Sequence, residues 1–235
     1  MTSSIQIGAL LPAVCRISIR SGKASGFLCV SKRGFTGEED SYLLATNNRV
    51  ISDISIRSLK TYNFEFPSLA NLKQFQFTEE NIESAWTDEK VDVTLIEIKK
   101  GMAARMMQHG ARFLEIGAPV VGANATALEH KEGIPNCFAS VEILQIMREG
   151  KIVYRSRPIP ASCGAPLVNM EGIAVGIHKG IYAYYVNEAV NLEFALQLYF
   201  RQKNNFLETA RQGISMIHLH LVNRTLAKLL IIQPT

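Results

Sequence analysis

The sequence predicts an all-β protein of two six-stranded antiparallel β-barrels with a C-terminal helix. Three observations carry this. Short β-branched and aromatic runs recur between clusters of Gly, Asn, Asp and Ser, the pattern of closely spaced antiparallel strands. The set occurs twice, on either side of a segment rich in Met, Ala and Arg. Helical spacing of apolar residues sets in only after Asn187. With 235 residues, 47% of them hydrophobic and 20% charged, the chain can bury one large core or two small ones, which excludes disorder and coiled coil.

The first barrel is expected over residues 8–100. Its candidate strands are Val14 to Arg20, Ser25 to Ser31, Ser41 to Thr46, a pair around Phe64 and Phe75, and Asp92 to Ile98, where apolar side chains serve both faces. Residues 101–115 read as a linker or a short helix crossing between two bodies. The second barrel, 116–203, takes strands at Pro119 to Ala123, Cys137 to Ile146, Lys151 to Arg155, Ala165 to Asn169, Ile173 to Ile177 and Tyr182 to Asn187. Turn signals such as Glu149-Gly150 and Glu171-Gly172 separate them. The stripe Val190, Phe194, Leu198 and Arg201 predicts the closing helix. The tail, 204–235, fits an amphipathic helix or a strand followed by a helix, and helix is the expectation taken here.

Composition narrows the function classes. A net charge of +4, spread without a run of five Lys and Arg, gives no nucleic-acid footprint. Salt-sensitive RNA binding by the basic surface is the weakest of the functional alternatives. The stretch Ile214 to Ile232 is interrupted by His218, His220, Arg224 and Lys228, so no membrane span is expected. The N-terminus has no basic residue before its apolar stretch and a Pro within it, unlike a secretory signal. A cytoplasmic protein is the expectation, and the sequons at Asn124 and Asn223 carry no weight. Cys15, Cys29, Cys137 and Cys163 are widely spaced and show no zinc pattern, so neither metal nor cofactor is expected. His218 and His220 would share one strand face, but two ligands without a third do not make a metal site.

Three segments carry chemistry, in chain order. Gly26-Phe27-Leu28 is followed by Leu44-Ala45-Thr46-Asn47-Asn48-Arg49-Val50-Ile51. Then come Val91-Asp92-Val93-Thr94-Leu95-Ile96-Glu97-Ile98 and Ala161-Ser162-Cys163-Gly164-Ala165-Pro166-Leu167-Val168. As an ordered set, over roughly residues 10 to 200, these resemble the chymotrypsin-like proteases. The resemblance implies a nucleophile at Cys163, an orienting acid at Asp92, and Arg49 where the general base, a His, belongs. The oxyanion hole falls to the N–H groups of Ala161 and Cys163. The run Gly172-Ile173-Ala174-Val175-Gly176-Ile177-His178-Lys179-Gly180 resembles the following hairpin of picornavirus and potyvirus cysteine proteases, and also that of cellular trypsin-like peptidases. By that resemblance His178, with Gly176, lines the P1 pocket and favours Gln or Glu.

Two departures bear on activity. An attacking thiol needs a group that accepts its proton and returns one to the leaving amine, and a guanidinium keeps its proton at any physiological pH. An Arg beside Cys163 would favour its thiolate, yet amide hydrolysis without a proton shuttle loses about 100-fold to 10,000-fold. At Ala161 the resembling pattern has glycine, and losing one oxyanion donor costs about 3 kcal/mol of transition-state stabilisation.

The resulting expectation is a catalytically impaired protease homologue that holds a peptide or protein ligand in the cleft between barrels. The alternative is an active cysteine endopeptidase that recruits another base, with His109 and His130 as the histidines left over. Plainer readings stand beside these. Arg49 and Asp92 form a structural ion pair filling the old cleft; Cys163 is an inert thiol; His178 satisfies local backbone groups. Cys15, Cys29 and Cys137 are core residues, and Glu38-Glu39-Asp40 is a solvated loop.

Overall fold

A computed structural model describes residues 5–19, 22–32, 40–52, 62–69, 74–78, 80–131, 134–156, 163–183, 185–206 and 208. Ala161, His218, His220, Asn223 and most of the 204–235 tail lie outside the described residues. So do the side chains of His130 and Cys137.

The chain opens with helix α1 (Ile5–Leu10) and a 3-10 turn at Leu11–Ala13. Seven strands follow: β1 (Val14–Ile19), β2 (Gly22–Ser31), β3 (Ser41–Thr46), β4 (Tyr62–Glu65), β5 (Gln74–Phe77), β6 (Ile82–Asp88) and β7 (Val93–Ile98). Helix α2 (Lys100–Gln108) and β8 (Leu114–Glu115) lead to β9 (Asn124–Lys131), β10 (Ile134–Ile146), β11 (Lys151–Ser156), β12 (Pro166–Asn169), β13 (Ala174–Ala183) and β14 (Val186–Asn191). A helix, α3, begins at 192 and runs to 206.

The first half is a sheet ordered β5-β4-β1-β2-β3-β7-β6. Strand β2 is longer than its partner: β1 pairs Gly22 through Phe27, and β8 adds in parallel at Cys29 and Val30, the part that β1 leaves open. Among the described residues no β5–β6 pairing closes this sheet, so the expected six-stranded closure is seen only in the second half. There β10-β11-β14-β13-β12-β9 forms a closed barrel.

The side-chain pattern explains both halves. Strand β7, VTLIEI, is buried at every position and sits between β3 and β6, as its apolar residues on both faces require. Strand β5 alternates, turning Phe75 and Phe77 inward. The Phe77 ring meets Phe64 edge to face at 4.7 Å, and each such ring contributes roughly 1.5–3 kcal/mol by burial. Met102, Ala103 and Met106 of α2 join the same core, so the 101–115 segment packs against the first half as well as linking the two. The second core pairs small residues of β9, Ala125 and Ala127, with Val141, Ile152, Tyr154, Leu167 and Val175.

The strand readings differ from the structure in several places, one being the expected Tyr182 to Asn187 strand, which straddles the end of β13 and the start of β14. Pro119 to Ala123 is not a strand; its apolar residues include Val120 and Val121, 62% and 57% exposed at a turn, and the strand starts at Asn124 instead. Strand β6 escapes sequence reading because its ESAWTD stretch is half-polar, with Trp86 buried and most neighbours only partly covered. Val190, placed on the closing helix by periodicity, pairs with Lys151 in β14, and the helix starts two residues later.

Residues 1–196 form one compact unit that includes both halves, and residues 197–235 form a second. Within the second, Tyr199 and Phe200 pack with ring centroids 5.0 Å apart, and the Lys203 ammonium lies 5.8 Å from the Tyr199 ring.

Candidate active site

The segment leaving β3 winds back on itself. The Asn47 carbonyl accepts the N–H groups of Val50 at 3.1 Å and Ile51 at 3.2 Å, a single helical turn that lifts Arg49 off the sheet. Asn47 is fully buried, and its Nδ2 donates to the Asp92 carbonyl at 3.0 Å. Across from it, the turn before β7 is tight: Val91 N–H donates to Asp88 Oδ1 and Asp92 N–H to the Asp88 carbonyl, both at 2.9 Å. The turn holds Asp92 at φ 65°, a left-handed conformation that Asp tolerates better than most residues. Its carboxylate thereby points at the 47–51 turn.

Arg49 and Asp92 meet twice. The Arg49 backbone N–H donates to Asp92 Oδ1 at 3.1 Å, and the guanidinium Nη2 lies 2.7 Å from Oδ2. The Asp92 side chain is 8% exposed and that of Arg49 is 51% exposed, so the acid is sheltered behind a cation that reaches solvent. The guanidinium also lies near enough to Cys163 for the two to interact electrostatically. Burial alone would lower the Arg49 pKa; the hydrogen bond and charge of Asp92, together with Cys163, outweigh it and raise the pKa. The guanidinium thus pairs with Asp92 and lies beside Cys163.

The Cys163 loop is fastened on two sides. Toward the first sheet, Ser25 N–H donates to the Cys163 carbonyl at 2.9 Å, and Thr46 Oγ1 donates to the Ser25 carbonyl at 2.8 Å. Gly164 makes this approach possible. Its φ is +89°, and a Cβ there would lie 1.9 Å from Ser25 O. Toward the second barrel, Gly164 N–H donates to the His178 carbonyl at 3.0 Å, His178 N–H donates to the Ala165 carbonyl at 2.8 Å, and the Cys163 S–H donates to the Lys179 carbonyl at 3.2 Å.

His178 is 2% exposed, and its Nδ1 is hydrogen-bonded with the hydroxyl of Tyr154, itself 1% exposed. Sequence reasoning missed Tyr154, because an aromatic in an apolar strand reads as core filling, which it also is. Gly176 turns toward the barrel interior. A Cβ on it would stand 2.9 Å from Ile152 Cδ1 and 3.0 Å from Val190 O, so its glycine serves strand packing.

Among the described residues no imidazole is hydrogen-bonded to Cys163; its sulfur donates to the Lys179 carbonyl. His109 caps the C-terminus of α2 through its backbone N–H and is exposed. Cys15 and Cys29 are fully buried, as expected of core residues, and burial pushes both thiols far up. Among the described residues no group of three or more His, Cys, Asp and Glu is arranged to hold a metal ion. No described helix is long and apolar enough to cross a membrane. A separate groove of about 320 Å³, between α1 and the second barrel, is lined by Ile7, Leu10, Phe138 and Met170 and includes none of these site residues.

No protein-family model and no curated protein matches the sequence. Solved structures do. Rv3671c from M. tuberculosis H37Rv, an inactive form carrying a Ser-to-Ala substitution, superposes with a TM-score of 0.59 at 16% identity, covering 84% of this chain and 90% of that one. The serine endoprotease from Yersinia pestis gives 0.59 at 16% identity, covering 86% of this chain and 66% of that one. A second inactive form of the Rv3671c protease gives 0.56 at 15% identity, covering 79% and 86%. Identities this low speak to architecture alone, and the architecture they share with this chain is the chymotrypsin-like fold.

Proposed function

We propose that this protein is a protease homologue that binds a peptide or protein segment in the cleft between its barrels and does not cleave it efficiently. The observation that carries the reading is the Arg49 guanidinium, paired with Asp92 and lying beside Cys163. A group that cannot give up its proton stands next to the sheltered acid and the thiol, where hydrolysis needs a base. The Tyr154–His178 hydrogen bond supports a pocket for Gln or Glu. A Tyr154 hydroxyl donating to Nδ1 would leave the ring proton on Nε2, the donor that a side-chain carbonyl requires. His178 would form the floor of that pocket.

The test is turnover of fluorogenic peptide libraries carrying Gln or Glu at P1, with Cys163→Ala as control. The expected result is no thiol-dependent cleavage, together with saturable binding of the same peptides by anisotropy. Cleavage that disappears in Cys163→Ala would instead establish the active cysteine endopeptidase.

A further inference from the structure

The candidate site differs from a hydrolytic one in carrying a permanent positive charge, and that charge suits a different part of a peptide. We infer that the cleft at Arg49 and Cys163 takes the C-terminal carboxylate of a peptide, so that the ligand is a chain end whose last residue is Gln or Glu. This deepens the peptide-binding reading and rests on it.

The geometry of the guanidinium is the first support. A guanidinium presents five N–H donors in a planar fork. On Arg49, Nη2 lies 2.7 Å from Asp92 Oδ2 and Cys163 stands nearby, while half of the side chain remains exposed. Among the described residues nothing else holds the fork, so its remaining donors can meet an acceptor lying beside the sulfur, where the scissile carbonyl of a substrate would rest. A neutral amide oxygen there gains one ordinary hydrogen bond. A carboxylate gains a charge-assisted pair matched to the fork.

The second support is how the anchoring charge and the side-chain reader are joined. Cys163 and Gly164 are tied to β13 by Gly164 N–H to His178 O at 3.0 Å and by Cys163 S–H to Lys179 O at 3.2 Å. The spacing between Arg49's neighbour, Cys163, and the His178 ring is therefore set by short backbone links rather than by a flexible loop. A ligand uses both only if the residue bearing the anion also bears the side chain being read, which describes a C-terminal residue. Asp92 moderates the effect. Its charge lies behind the guanidinium and already draws on it, so the gain expected from a free carboxylate is about tenfold in Kd, the low end for hydrogen bonds to charged groups.

The experiment uses the full chain and fluorescein-labelled heptapeptide pools, randomised upstream and ending in Gln, prepared either as the free acid or as the C-terminal amide. Anisotropy titration is expected to give a Kd about tenfold lower for the acid pool. Arg49→Gln should shrink the acid-to-amide ratio to within about twofold, and Arg49→Lys, a point charge without the fork, should retain only part of it. Equal binding of acid and amide, or tighter binding of the amide, overturns the carboxylate inference and leaves the peptide cleft standing. Binding of neither pool overturns both. The comparison on the unmodified protein decides the matter even if a variant fails to fold.

Discussion

Replacing Gly164 with alanine places a methyl group 1.9 Å from the Ser25 carbonyl oxygen and 2.6 Å from Thr46 Oγ1. Ordinary contact lies near 3.5 Å, so the overlap with backbone is about 1.5 Å and cannot be relieved by rotating a side chain. Three costs add. Holding a non-glycine residue at φ +89° costs about 1–2 kcal/mol. Separating Ser25 from the loop removes the hydrogen bond to the Cys163 carbonyl and disturbs the one from Thr46, each contributing about 1 kcal/mol. The total is about 3–4 kcal/mol, or a drop in Tm of about 6–16 °C at this chain length. Gly122→Ala is the control: φ is +79° there, with no atom within 4 Å of the added Cβ. It should therefore show the conformational cost without the clash. Thermal unfolding followed by circular dichroism should separate the two variants by at least about 4 °C. Equal melting temperatures would refute the claim that close contact between the Cys163 loop and β2 holds the two halves together.

Two further predictions follow from the thiols and from Arg49. Burial raises the pKa of Cys15 and Cys29 above the ordinary 9.0, so the folded state favours their neutral forms. Their contribution to stability is complete below pH 9 and is lost as the unfolded chain's thiols ionise above it, about 1.4 kcal/mol for each at pH 10. Urea midpoints measured from pH 8 to pH 10 should fall, and should fall less in Cys29→Ala; an identical slope in that variant would count against the burial argument. The double change Arg49→His with Ala161→Gly should produce peptide turnover abolished by Cys163→Ala, since it supplies an imidazole beside the sulfur and a glycine in the preceding loop. A folded double variant without turnover would show that these positions do not play the roles assigned to them.

Much of the fold was legible because strand periodicity and turn chemistry are local. The runs at Ser41–Thr46 and Val93–Ile98 announce buried strands by their own composition, and both are strands. The elements that failed depended on surroundings. Strand β6 is kept extended by pairing with β7 rather than by its own residues, and the Pro119 to Ala123 run is too exposed to be one. Of the candidate site, the neighbours Arg49, Asp92 and Cys163 were picked out by the order of their motifs, whereas Tyr154 was not, because a hydroxyl buried beside an imidazole has no local signature.

The amino-acid sequence by itself determined the strand-rich architecture in two halves and the absence of an imidazole at position 49, since both are matters of residue type and spacing. Only the tertiary structure decided that the Arg49 guanidinium pairs with Asp92 and lies beside Cys163, that Tyr154 holds His178, and that Gly164 lets one half touch the other. Each of those joins residues far apart in the chain, and such contacts are set by how strands register and sheets pack, which no window of neighbouring residues contains.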